Sequence, residues 1–179
     1  MNDLSQTRLW LMRGSFMLLT VLILFFQLLP LETTPRIWAG PDLLLCFAMA
    51  WSMRRPEYVP PLALALAFLL ADLLLQRPPG LWAMFALMAC ENLKSRGRSL
   101  RDANFAAEWI TVGLIIMVIT VFERLVLGLV LVDLPLLTLT LSELGMTLLF
   151  YPLVVAITHF LMGVRKTAPG DLDALGQRV

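Results

Sequence analysis

Eight polar or ionisable side chains interrupt the apolar stretches of this sequence: Gln27, Asp42, Asp72, Glu91, Glu123, Arg124, Glu143 and His159. At mid-bilayer an ionisable group costs on the order of 2.5 to 3.5 kcal/mol, so each needs a partner, water or a place near the membrane surface. Gln27, Asp42 and Asp72 fall toward one side when the apolar blocks are counted as alternating crossings. An amide beside two carboxylates there offers a polar site for a ligand, an ion or a partner's side chain. The simpler and preferred reading makes Asp42 a helix N-cap and lets Asp72 reach interfacial water. Glu123 and Arg124 are adjacent, so on a helix they diverge and do not pair with each other. They are expected to snorkel near the outer interface, with a contact to another subunit as the alternative. His159 stands alone without Cys or carboxylate at ligand spacing, so no metal is expected. Tyr151-Pro152 reads as a kink with an aromatic beside it. No Walker loop, Gly-x-Ser-x-Gly, His-Glu-x-x-His or Cys pair at metal spacing occurs, so no enzyme activity and no cofactor are expected. Cys46 and Cys90 both lie in apolar blocks and read as buried structural thiols.

The elements that hold these side chains are set by hydropathy. Hydrophobic residues make up 59% and charged residues 15% of 179 positions, with a mean hydropathy of +0.82. That balance exceeds what one soluble core can bury and points to an all-α integral membrane protein. Six spans are expected, near residues 14–31, 37–53, 59–75, 80–93, 107–131 and 141–164, within one membrane domain over 1–166 followed by a polar cytoplasmic tail at 167–179. The first span follows Arg8 and Arg13 like a signal peptide, but no small-x-small cleavage site follows it, so it is read as uncleaved and closed by Pro30. The second is short, roughly 20 Å at about 1.5 Å per residue. It must borrow length from Ile37 and Trp38 or sit sheltered among other helices. Pro60 and Pro61 suit the first turn of the third.

Of the 14 Lys and Arg residues, eleven fall on one side of six alternating spans. Only Arg36 and Arg77 fall on the other, and Arg124 lies within the fifth span. The positive-inside rule then makes both termini cytoplasmic. Arg54, Arg55, Lys94, Arg96, Arg98 and Arg101 form the cytoplasmic basic loops, facing anionic lipid or cytoplasmic components. A net charge of +1 gives no footing for a nucleic-acid partner. No inverted repeat is visible between the halves, which weakens a secondary-transporter reading.

In order along the chain come Gln27-Leu-Leu-Pro30, Pro41-Asp42-Leu-Leu-Leu45, Trp51 followed by Arg54-Arg55-Pro56-Glu57-Tyr58, Asp72-Leu-Leu, Pro79-Gly80-Leu81 and Tyr151-Pro152. This order resembles the rod shape-determining protein MreD family of bacterial cytoplasmic (inner) membranes over nearly the whole chain. Each motif alone is degenerate. Gln76-Arg77-Pro78-Pro79 departs from the small residues that family members often carry, which implies a stiffer outer turn after Asp72. The resemblance implies a non-enzymatic subunit of the rod complex for lateral peptidoglycan synthesis, acting with MreC, MreB filaments, RodA and a class B penicillin-binding transpeptidase. It also implies a six-helix transmembrane bundle similar to the substrate-binding subunits of energy-coupling-factor transporters, with some helices short.

Two functions follow as expectations. The first is an interaction subunit that offers a lipid-facing groove to the transmembrane helix of MreC. Ala67 and Ala71, four apart on one helix face, are candidates to line it, with close packing inside the monomer as the alternative. The second is a small-molecule-binding membrane subunit of a transporter, whose ligand sits at Gln27, Asp42 and Asp72 in a cavity of a few hundred cubic ångströms. An intramembrane enzyme lacks an identifiable nucleophile and base.

Overall fold

Proline, short polar side chains and left-handed turn residues set the helix boundaries. The computed structural model of the chain describes residues 2–29, 38–97, 104–132 and 134–160, with side chains from Gln6 onward. The regular structure is helical: α1 (Asn2–Leu28), α2 (Leu43–Arg54), a 3₁₀ turn at Pro56–Tyr58, α3 (Pro61–Leu74), α4 (Leu81–Arg96), α5 (Phe105–Leu129) and α6 (Leu137–Phe160). Pro61 opens α3, where its missing N–H leaves nothing unpaired. Asn104 caps α5, its side-chain oxygen accepting from the Ala107 N–H at 3.0 Å. Two helices end on residues with positive φ, Gln76 at 55° after α3 and Leu131 at 57° after α5. In each case the next N–H turns back to a carbonyl of the last turn, Arg77 to Asp72 at 2.9 Å and Val132 to Leu127 at 3.1 Å. Both helices therefore stop in a Schellman-type turn without the glycine that usually relieves it.

Successive helices run in opposite directions between two ends. Around α2 the helices α1, α3, α4, α5 and α6 follow one another, each packed on the next. Along α2 every residue after Leu43 is buried. Phe16 of α1 meets Trp51 at 5.6 Å between ring centroids, and Trp51 meets Tyr58 at 6.2 Å. Between α5 and α6, a Cβ at Gly113 would meet Leu148 Cδ2 at 3.1 Å, so glycine permits this approach. Pro152 lies within α6 and cannot donate to the carbonyl one turn back, that of Leu148. The indole of Trp109 donates to that oxygen instead, at 2.9 Å.

Three helices, over Gln6–Leu28, Phe105–Leu129 and Leu137–Phe160, are long and apolar enough to cross a membrane. Their outward faces are greasy, as at Leu18, Phe25, Leu114, Phe122 and Leu149. Such faces suit lipid and mark a membrane protein. The other three helices have 12, 14 and 16 residues, about 18 to 24 Å long.

Several expected boundaries shift. The first helix starts at Asn2, not near residue 14, and carries Arg8 and Arg13 within it. Arg13 is held there by a bond from its Nε to the Glu57 carbonyl at 3.1 Å. The second helix borrows nothing from Trp38, which is non-helical and exposed. It is short because Asp42 caps it, and shelter among its neighbours compensates. The fourth helix runs one turn past residue 93, so Lys94 and Arg96 belong to its last turn and not to a loop. Lys94 Nζ donates to the Val59 carbonyl and to Glu91, both at 2.6 Å. Arg54 is likewise no loop residue: it ends α2 and is buried. Ile37, Arg98, Arg101, residues 161–164 of the sixth expected span and the tail at 167–179 lie outside the described residues.

Candidate functional site

Two polar clusters sit at opposite ends of the bundle. At the first, Asp42 does what a carboxylate before a helix does best. Its Oδ1 accepts from the Leu45 N–H at 2.9 Å, closing the first turn of α2. Its Oδ2 accepts from the Trp82 indole at 3.2 Å. The Asp42 N–H donates to Thr147 Oγ1 at 2.9 Å, tying α2 to α6. Asp72, fully buried at the end of α3, reaches across the turn to the start of α4. There its Oδ2 accepts from the Gly80 N–H at 2.9 Å and the Ala83 N–H at 3.1 Å. Gly80, at φ 86°, supplies the left-handed step that aims those donors inward. Asp72 therefore caps a helix and does not reach interfacial water.

Arg77, on the turn between α3 and α4, organises the rest. Its Nη2 pairs with Glu143 Oε1 at 3.3 Å, its Nη1 lies 4.0 Å from Asp42 Oδ2, and its guanidinium sits 5.8 Å from the centroid of the Trp82 ring. Burial works to lower the Arg77 pKa, but the carboxylates of Asp42, Glu143, Glu123 and Asp72 more than offset it, so the pKa rises above its ordinary value. Beside this knot is a cavity of about 670 Å³ between α2, α4, α5 and α6. Glu123 and Arg124 both line it, along with Asp42, Arg77 and Glu143. Arg124 is held within the chain, its Nη1 donating to Thr140 Oγ1 at 2.5 Å and to the Pro135 carbonyl at 3.1 Å. One stripe of α5 faces the space, because Ile116, Thr120, Glu123 and Leu127 repeat at three and four residues.

Of the polar residues singled out in the sequence, Asp42, Glu123, Arg124 and Glu143 come together at this cavity. Asp72 supports its wall without lining it. Gln27, partly buried near the end of α1, does not line it. Ala67 and Ala71 are buried in the core, so that face packs within this chain and offers no groove to a partner. Cys46 and Cys90 are free and buried, Cys46 donating through Sγ to the Thr147 carbonyl at 3.4 Å.

The second cluster escaped the sequence reading. Arg54 Nη2 donates to Glu108 Oε1 at 3.1 Å and Oε2 at 3.4 Å, and the Tyr151 hydroxyl donates to Glu108 Oε1 at 3.0 Å. The three residues join α2, α5 and α6, with Glu108 and Tyr151 fully buried and Arg54 nearly so. Glu108 stands one turn into the apolar block that begins at Phe105. Like Glu91, it is a carboxylate inside an apolar block. Arg54 was hidden by its neighbour Arg55, which made both look like a solvated loop. Arg55 Nη1 does lie near the surface, 3.4 Å from Glu57 Oε1. His159 lies at this end too, beside Arg54 and Pro152 on a smaller hollow of about 260 Å³.

Among the described residues no group of three or more His, Cys, Asp or Glu is placed to hold a metal ion. The Arg77 knot can bind and orient charge, but it brings no nucleophile next to a base. Comparison with known proteins gives no match to a family model, to a curated protein or to a solved structure.

Proposed function

We propose that this chain is a six-crossing protein of the bacterial cytoplasmic membrane and the MreD-like, non-enzymatic subunit of the rod complex. In this reading it binds MreC and helps organise lateral peptidoglycan synthesis with RodA, a class B penicillin-binding transpeptidase and MreB. Both termini are cytoplasmic, on the side where Arg13, Arg54, Arg55, Lys94 and Arg96 gather. The observation that carries the proposal is that several of the residues bearing the family resemblance knit the fold. Asp42 caps α2, Asp72 caps α4 through Gly80, Trp51 stacks on Tyr58, and Arg54 and Tyr151 share Glu108. Motifs scattered over more than a hundred positions thus serve one architecture. The long apolar faces of α1, α5 and α6 are available to a partner's transmembrane helix.

The test is affinity purification from the native host's membranes in mild detergent, with quantitative mass spectrometry of proteins and small molecules. Stoichiometric MreC and cell-wall synthases are expected. Their absence, with an energising ATPase module in their place, would replace this reading by the second.

That second reading is a small-molecule-binding membrane subunit of a transporter, related in architecture to the energy-coupling-factor substrate-binding subunits. The cavity of about 670 Å³ favours it, since small-molecule sites commonly measure about 300 to 1,000 Å³.

A further inference from the structure

The cavity beside Arg77 combines an apolar body with an uneven set of charges. Leu45, Ile116, Leu127 and Leu144 supply apolar wall. Among the described lining residues, three carboxylates (Asp42, Glu123, Glu143) face two guanidiniums (Arg77, Arg124). The guanidiniums are already engaged. Arg77 is held by Glu143 and lies near Asp42, and Arg124 is fixed through Nη1 by Thr140 and the Pro135 carbonyl. Asp42 uses both oxygens, on the Leu45 N–H and the Trp82 indole. Glu123 differs: it accepts no hydrogen bond from a described residue and feels Arg77 only beyond ion-pair distance. It also sits midway along the α5 stripe, with Thr120 and Ile116 below it and Leu127 above. An anion entering here meets a carboxylate excess, whereas a cation meets a carboxylate whose acceptor oxygens are still available. In a site walled by hydrocarbon that difference is large, because charges interact more strongly there than in water.

We propose that this cavity binds a small organic cation, an ammonium or amidinium group on an apolar body, with Glu123 as the partner of its charge. The inference rests on the ligand-binding reading of the cavity, and it asks nothing about transport or about MreC.

Three indole compounds of matched body and different head test it: tryptamine (cation), tryptophol (neutral) and indole-3-propionate (anion). Each is titrated into the purified full chain in lipid nanodiscs, with binding read by calorimetry and thermal unfolding against empty nanodiscs. Tryptamine is expected to bind at least about tenfold more tightly than tryptophol, the scale of a charge-assisted hydrogen bond, and indole-3-propionate most weakly. Glu123→Gln should bring tryptamine down to tryptophol, and Glu123→Asp should keep the preference. Equal binding of all three to the unaltered chain overturns the cation preference while leaving a ligand cavity. No saturable tryptamine binding to the unaltered chain overturns both. The ranking is read on the unaltered chain, so a variant that misfolds does not rescue the proposal.

Discussion

At the Arg54 end, a guanidinium, a carboxylate and a phenol close on one another inside the bundle. At the Arg77 end, guanidiniums and carboxylates stand around open space. Arg54 and Glu108 have side chains 8% and 0% exposed, against 31% and 36% for Arg77 and Glu143. A desolvated ion pair stabilises little over an apolar substitute, yet losing one partner strands the other charge without water. A pair about one-third exposed loses little when broken, since water replaces the partner. The closed cluster thus specifies how α2, α5 and α6 register. The open one leaves Glu123 able to meet something else.

The contrast breaks most sharply at Glu108. Replacing Glu108→Ala strands the Arg54 guanidinium and the Tyr151 hydroxyl, and should cost about 3 to 5 kcal/mol. Reversible unfolding in mixed micelles would measure it, and a loss under about 1 kcal/mol would dissolve the distinction between the ends. An intermediate effect is expected at Asp72, which lies near the open end but is itself buried. Asp72→Ala removes the cap on α4 and should cost about 1 to 2 kcal/mol. Hydrogen exchange at Gly80 and Ala83 should rise with it, and unchanged protection there would remove Asp72 as the cap. The smallest effect belongs to Glu143→Gln. Breaking its pair with Arg77 should change stability by less than about 1 kcal/mol, and a larger loss would mean that the Arg77 end is as structural as the other.

How far the sequence foretold these clusters depends on the reach of each contact. Asp42 as a cap was legible because a carboxylate ahead of an apolar run has one dominant local use, and the bond to Leu45 spans three residues. Asp72 was legible as an anomaly in an apolar block, but its partners are eight and eleven residues on, beyond a turn whose shape depends on Gly80. Glu123 and Arg124 drew attention as charges in a span. Whether they faced lipid or a cavity was a matter of helix rotation, set by packing against α6. Arg54 looked solvated because nothing local reveals a partner fifty-four positions away.

Sequence alone determined that the chain is helical and suited to a membrane, because backbone groups in hydrocarbon must be satisfied within each segment and apolar blocks of this length leave few alternatives. It also determined where two helices start, through Asp42 and Pro61, since caps and prolines act over a few residues. The tertiary structure alone decided which short helix is central, that Arg54 turns inward to Glu108, and that Glu123 faces a cavity. Those outcomes depend on how helices distant in sequence rotate and pack against one another, and local periodicity carries no record of that.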